Sequence, residues 1–392
     1  GREMLNDISI KIYYGPLSWF REQVGGEDHS YLLDIVNEMD EASRQFTHKI
    51  SGQKDHEKKK EKERVRCIVA ESMDFASLKE HAIMNFVGLI RSMNPENLIL
   101  HNPPHHVHTY LEREFSNFSA KNYPYPAITS NTLVQFYRDM PEKIIGQEKA
   151  KELLSAAIYP LINSQRVKPI VLMLYGPSGV GKTETAKFIS KLLGGSLMRK
   201  QFSMFQNDKF ASYIFGGSHS EDSFARDLLN RDSRVILLDE FDKANSVFYS
   251  AFYQFFDDGI FEDKNYKVKL GASLIICTSN YATEDEIRKE LGDPLYSRFD
   301  ALIEFMPLLE EDLRRIVDRL IDDRYENLTS DEQRVICRDE VKNKIYSVIS
   351  QISNIRKLDK LVEGLISLKL TRALVNGHLT NSVISDMHSL EP

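Results

Sequence analysis

Cysteine is scarce. The chain has three in 392 residues, Cys67, Cys277 and Cys337, far apart and with no Cys-x-x-Cys spacing. That excludes a disulfide framework and a cysteine-based zinc site, and it suits a reducing, cytoplasmic setting. Long hydrophobic runs are also missing: nothing approaches the roughly 18 consecutive apolar residues of a membrane span, so no membrane is expected among the partners. The first residues lack a signal-peptide pattern, and Gly1-Arg2-Glu3 ahead of Met4 reads as a cloning remnant. A basic excess is absent too. The net charge of −7 and pI of about 5.9 argue against a chain built to coat nucleic acid, though they leave room for a local basic lining. No internal repeat is present.

What is present is ordinary globular material, 42% hydrophobic and 28% charged residues, enough for two or three domains. One stretch stands out. Gly176-Pro177-Ser178-Gly179-Val180-Gly181-Lys182-Thr183 matches the phosphate-loop pattern G-x-x-x-x-G-K-[ST] in full. It follows an apolar run, Ile170 to Tyr175, that reads as a buried parallel strand. It precedes a helix that reads as Glu184 to Leu193, closed by Gly194-Gly195. Glycines let the backbone N–H groups ring a phosphate at the positive end of that helix. Lys182 would reach the β- and γ-phosphates and the Thr183 hydroxyl would hold Mg²⁺. The loop, with Glu184 beside it, is therefore read as binding a nucleoside triphosphate.

Ahead of it, residues 1–121 read as a small α/β domain. Ile8, Ile10 and Ile12 alternate as in a half-buried strand, and Tyr31 to Phe46 carries helical spacing. Val65 to Ala70 and Asn97 to Leu100 read as further strands, with one helix from Phe75 to Met93 between them. The mixed-charge run Lys54 to Arg66 reads as a solvated loop or helix end rather than a nucleic-acid patch. His101, His105, His106 and His108 allow a metal reading, against which Pro103-Pro104 and the absence of nearby cysteine favour polar surface. No nucleophile–base pairing occurs here. Residues 122–139, with Tyr123-Pro124-Tyr125-Pro126, read as a linker holding a short helix near Leu133 to Arg138. A long α/β stretch, 140–306, and an all-helical tail, 307–392, complete the chain. In that tail Leu313, Ile316, Val317, Leu320 and Ile321 form a buried stripe, as do Leu358, Leu361, Val362, Leu365 and Ile366, and Val341, Ile345, Val348 and Ile349 in part.

Val235-Ile236-Leu237-Leu238 runs into Asp239-Glu240, a buried strand that delivers two carboxylates to the sheet edge carrying the phosphate loop. Asp239 would bind Mg²⁺ and Glu240 would polarise the attacking water. The strand Leu274 to Cys277 ends in Thr278-Ser279-Asn280, where the Asn280 amide either holds the same water or is simply a turn residue.

Ile144-Ile145-Gly146-Gln147, the phosphate loop, Asp239 to Asn245, Phe256-Asp257-Asp258-Gly259 and Thr278-Ser279-Asn280, in that order, resemble the AAA+ ATPases. The likeness is to the second ATPase domain of the Clp/heat-shock disaggregase branch, over about residues 140 to 380. It implies an α/β P-loop AAA+ domain, a parallel sheet with flanking helices, plus a helical lid, preceded by the small α/β domain. It further implies that Ile145 and Gly146 contact adenine and that Asn280 is a polar sensor. Arg298 falls at the arginine-finger position, reaching a neighbouring subunit, and Arg356 at the second sensor on the lid. Without the family, both arginines read as surface ion pairs. A trans-acting arginine implies a homo-oligomer, commonly a hexameric ring, hydrolysing ATP with Mg²⁺ and acting on a protein partner recruited by residues 1–121; nucleic acid is the less favoured partner.

One departure stands out. The interval Phe202 to Leu229 is shorter than the family's glycine-flanked pore-loop region, and it carries Tyr213-Ile214-Phe215-Gly216-Gly217-Ser218-His219-Ser220. Tyr213 and Phe215 either replace the pore aromatics or belong to a short buried strand or helix end. The shortening resembles the torsins, which lack the arginine finger that Arg298 keeps. A non-threading, ATP-controlled switch or scaffold, of a defence or signalling system, is the alternative to a remodeller.

Overall fold

Parallel pairing of strands that are mostly buried on both faces builds both main sheets. The computed structural model describes residues 7–49, 64–204, 208–352 and 354–380; the start of the chain, most of the Lys54 to Arg66 run and the last residues lie outside them. The N-terminal sheet contains β1 (Ser9–Tyr14), β2 (Ser30–Tyr31), β3 (Cys67–Ala70), β4 (Asn97–His101) and β5 (Phe118–Asn122). Its order is β2-β3-β4-β1-β5 and every pair is parallel. Ile10, Ile12, Ile68, Leu98 and Leu100 bury one face against Phe75, Phe86 and Ile90. Phe20, Val24, Val69 and Ile99 cover the other.

The expected helix from Phe75 to Met93 is three helices, Ser72–Ser77, Glu80–Met84 and Phe86–Met93. Leu78 (φ −76°, ψ 146°) and Asn85 (φ −110°, ψ 37°) break it. Leu78 and Ile83 both enter the core, yet five residues apart they would point about 140° from each other on one straight helix. Packing overrides the continuous pattern. His101 is buried: its Nε2–H donates to the Gly15 carbonyl at 2.7 Å, and Nδ1 accepts from the Ser72 amide at 3.3 Å. Burial pushes its pKa down to about 4. It is a core histidine.

The segment expected as a linker is more structured than its prolines imply. Thr129 caps a helix, Ser130–Lys143, its hydroxyl accepting from the Thr132 amide at 3.2 Å. Ile128, Phe136 and Met140 join Ile170, Leu172 and Leu174 in one core, so this helix runs across position 140 and packs on the second sheet.

That sheet holds β6 (Ile170–Tyr175), β7 (Met198–Gln201), β8 (Val235–Asp239), β11 (Leu274–Thr278) and β12 (Ala301–Glu304). A hairpin of β9 (Ile260–Glu262) and β10 (Lys267–Lys269) stands outside it. The order is β12-β6-β11-β8-β7, all parallel, and it sets the carboxyl ends of β6, β11 and β8 side by side. Strands buried on both faces carry the uninterrupted apolar runs seen in the sequence.

The tail folds as helices Glu310–Glu326, Ser330–Val335, Arg338–Tyr346 and Ile355–Val375. Leu313, Ile316, Val317 and Ile321 meet Val341, Ile345, Leu358, Val362 and Ile366 in one core, while Val348 is exposed. Among the described residues no helix is long and apolar enough to cross a membrane.

Candidate active site

The phosphate loop links β6 to the helix Lys182–Leu193, whose glycine cap Gly181 has φ 109°. Gly176 is required by close approach: at φ 132°, a Cβ there would lie 2.2 Å from the Phe305 carbonyl oxygen. At Gly179 a Cβ would meet the Asn354 side chain at 2.6 Å, and the Gly179 carbonyl accepts from the Ile355 amide at 3.3 Å. The loop is thus in direct contact with the start of the last helix of the bundle.

Ser178, Gly179, Gly181, Lys182, Thr183, Glu184, Asp239, Glu240, Asn280 and Arg356 surround one cavity of about 460 Å³. Val180 is buried behind the loop. Lys182 is folded back, its Nζ donating to the Gly176 and Pro177 carbonyls at 2.7 and 2.5 Å. Burial lowers its pKa to about 8, against the opposing pull of Asp242 and Asp239. The Thr183 hydroxyl donates to Asp239 Oδ1 at 3.2 Å. Thr278 ties the two acids together: its hydroxyl donates to Asp239 Oδ1 at 2.5 Å and accepts from the Glu240 amide at 2.9 Å. Glu240 itself sits at φ 53°, a left-handed conformation that is costly for a side-chain-bearing residue.

Of the sequence-derived positions, Gly176, Pro177 and Val180 belong to the loop without lining this cavity, and Ile145, Gly146 and Arg298 stand away from it. Ile145 is buried in the core of the helical bundle, and Gly146 abuts Asp312 and Leu308 at the seam between sheet and bundle. Neither lines the wall. Arg298 bonds Asp257 Oδ2 at 3.1 Å and lies over the Tyr253 ring at 4.6 Å. Asn280 is exposed on the wall, and its backbone N–H donates to Asp242 Oδ2 at 3.4 Å.

Other contributors were not read from the sequence. Arg199, on β7, donates to Asp239 Oδ2 through Nε at 3.0 Å and a terminal nitrogen at 2.6 Å. Gln147 clamps the loop: its amide donates to the Val180 and Met306 carbonyls at 3.1 and 2.9 Å, and its oxygen accepts from the Met306 amide at 2.9 Å. Asp242 lines the wall, with burial raising its pKa.

The cavity is chemically incomplete as protein alone. Glu240 Oε2, Asp242 Oδ1 and Ser279 Oγ are buried without a hydrogen-bond partner. A hydroxyl and a buried carboxylate 3.2 Å apart, beside a loop lysine and a helix N-terminus, fit a triphosphate with a hard divalent cation.

Such a loop and acid pair on a parallel sheet of this order, with a helical bundle against the loop, are consistent with a P-loop fold of the AAA+ type. Residues 168–310 match the family "AAA domain (Cdc48 subfamily)". The chaperone protein ClpB of Clostridium perfringens (strain 13 / Type A) is 25% identical over 295 residues, 64% of this chain and 33% of that protein. ClpB of Chlamydia pneumoniae is 28% identical over 285 residues, 61% and 32%. The chain therefore spans about a third of the length of these relatives. Among solved structures, a closed-state reconstruction of Hsp104 with ATPγS and FITC casein superposes with TM-score 0.54 at 17% identity, covering 79% of this chain and 61% of that one. The S. cerevisiae Hsp104–ADP complex gives 0.53 at 21%, covering 64% and 41%. The matched AAA domain and the ClpB relatives support a Clp/Hsp100-type AAA+ ATPase, and the superposed structures share its fold.

Proposed function

We propose that the chain hydrolyses Mg²⁺-ATP as a homo-oligomeric ring, a hexamer, and uses the cycle to change the conformation of a protein partner recruited through residues 1–121. Lys182 and the loop amides hold the β- and γ-phosphates, and Thr183 with Asp239 holds the cation. Glu240 takes the proton of the water that attacks the γ-phosphorus, Asn280 orients that water, and Arg356 reaches in from the bundle. Arg298 serves the site of the next subunit. The observation that carries this reading is the meeting of Lys182, Thr183, Asp239, Glu240, Asn280 and Arg356 around one cavity, although they come from the helix after the phosphate loop, the ends of β8 and β11, and the helical tail.

The test is Glu240→Gln. With the carboxylate's basicity gone and its shape kept, kcat should fall about a hundredfold or more while ATP affinity stays within about twofold. Phosphate release and equilibrium titration measure the two. Turnover at the wild-type rate would remove Glu240 from its role.

A second reading, an ATP-controlled switch that does not thread polypeptide, is favoured by Tyr213. Its hydroxyl donates to Asp227 Oδ2 at 2.6 Å and its ring packs on the sheet core, so it does not project as a pore aromatic.

A further inference from the structure

A second cavity, of about 730 Å³, opens where the N-terminal sheet meets the hairpin and loops of the ATPase region, and it shares no lining residue with the hydrolytic one. On one side it is walled by the carboxyl end of the N-terminal parallel sheet, where Tyr14 closes β1 and Asn122 closes β5. This is the edge at which open parallel α/β sheets bind ligands. The other side comes from the ATPase region.

Its lining charges have one sign. Arg166, Arg231, Arg234, Lys267 and Lys269 face it and no aspartate or glutamate does. Arg166 and Arg234 are tied to backbone carbonyls, at 2.9 Å to Lys168 and 2.6 Å to Ala272, which orients them without neutralising them. Arg231 is only 7% exposed; one terminal nitrogen donates to the Leu228 carbonyl at 2.7 Å, and its Nε–H has no partner. A buried guanidinium with no carboxylate is expensive unless an anion completes it. Lys267 and Lys269 project from β10, exposed and without a salt bridge among the described residues. The carboxylates near this region are engaged or turned elsewhere. Asp232 accepts from the Ser196 amide at 2.7 Å, Glu112 pairs with His108 at 3.5 Å, and Glu262 lies across the hairpin from Lys267.

The remaining wall is aromatic. Tyr123 and Tyr125 meet edge to face at 4.8 Å, with Tyr14 alongside. Rings of this kind offer flat apolar contact to a planar ligand.

We propose that this cleft is a second binding site, for a small phosphate-bearing ligand with a planar ring, of the nucleotide class. The cations and the free Arg231 Nε–H receive the phosphate, the Arg231 guanidinium being seated over the Tyr125 ring at 4.6 Å; Tyr14 and Tyr123 receive the ring, and the volume falls in the usual range for small-ligand pockets. A bound ligand would bridge the two sheets. It would reinforce direct contacts such as Asn102 Nδ2 to Asn230 Oδ1 at 3.0 Å and the His105 amide to the Asn265 carbonyl at 2.8 Å. Occupancy would thus fix how the N-terminal sheet is held on the ATPase.

The molecule supplies its own reporter. Trp19, the single tryptophan in the chain, packs against Tyr123 with ring centroids 5.5 Å apart. The experiment titrates AMP into the full chain carrying Lys182→Ala, which disables the phosphate loop, and follows Trp19 fluorescence. A saturable change is expected, with competition by inorganic pyrophosphate and no response to adenosine over the same concentrations. Adding Lys267→Glu and Lys269→Glu, both at exposed positions that leave the core intact, should weaken AMP by about tenfold or more, and raised salt should weaken it further. Absence of a saturable change overturns the proposal. So does adenosine binding as tightly as AMP, unchanged affinity in the double-glutamate variant, pyrophosphate failing to compete, or a single-stranded oligonucleotide displacing AMP at concentrations below those at which AMP itself binds.

Discussion

Asp239 is almost wholly buried, with 4% of its side chain exposed, and in the protein alone its charge is met by Arg199 at 2.6 Å. The pair explains how a carboxylate destined for a cation survives inside a sheet before nucleotide arrives. Removing the guanidinium strands that charge. Arg199→Met should therefore cost about 2 kcal/mol of unfolding free energy in nucleotide-free protein, less than the full cost for a buried pair because Arg199 is one third exposed. Asp239→Asn in the same background should restore most of the loss, since no unpaired charge remains. Urea denaturation of the wild type and the two variants measures this, and an Arg199→Met protein as stable as wild type would show that the pair does not neutralise Asp239. The contrast with the phosphate loop is instructive about sequence. Lys182, Thr183, Asp239 and Glu240 were legible because each function is tied to its immediate neighbours in the chain. Gln147 and Thr278 stood in recognisable motifs, but their roles, like all of Arg199's, act through partners that only the strand order brings near.

The helix Asp208–Phe215 shows the same division for elements. Its sequence allowed a pore-loop substitute, a buried strand or a helix end. The fold takes the helical option, with Phe210 and Ile214 buried, Tyr213 held by Asp227, and Phe215 left 44% exposed beside Phe248. Lys200 completes the set, bonding Asp227 at 2.8 Å. Tyr213→Phe should cost about 1–2 kcal/mol of stability through the lost bond to a charged acceptor. Phe215→Ala should leave both basal ATPase and its response to an unfolded polypeptide within about twofold of wild type, as expected of an unremarkable surface substitution. Steady-state phosphate release with and without the polypeptide checks this; loss of stimulation in Phe215→Ala would return the helix to a threading role. Strands of uniform apolar character, and stripes at helical spacing in the tail, were readable because burial alone explains them. The breaks between Ser72 and Met93 were not, and of the helix Ser130–Lys143 only the stretch near Leu133 to Arg138 was, its length and packing being missed. There the deciding contacts are with a sheet, and local pattern carries no information about where that sheet lies.

At the scale of the whole molecule, the question is whether one chain holds a complete site. Arg298 does not line the hydrolytic cavity of its own chain; it is held by Asp257 and the Tyr253 ring, with about a quarter of its side chain exposed. A guanidinium fixed on a separate face suits delivery across a head-to-tail contact, the kind of contact that closes into a ring. This makes a quantitative expectation. Lys182→Ala subunits lack their own nucleotide but keep Arg298, and Arg298→Ala subunits keep their nucleotide but lack the donor. Each alone should be nearly inactive, because a missing arginine finger costs about a thousandfold in turnover. In an equal, randomly exchanged mixture, a productive contact needs an Arg298→Ala subunit facing a Lys182→Ala neighbour in the correct order. About one quarter of contacts meet that condition, the product of two chances of one half. The mixture should regain about a quarter of the wild-type rate if contacts act independently, and less if firing around the ring is concerted. Phosphate release measured across mixing ratios should peak near equal proportions. A rate that stays at the level of the separate variants at every ratio would place Arg298 outside the neighbour's site and leave the hydrolytic centre within one chain.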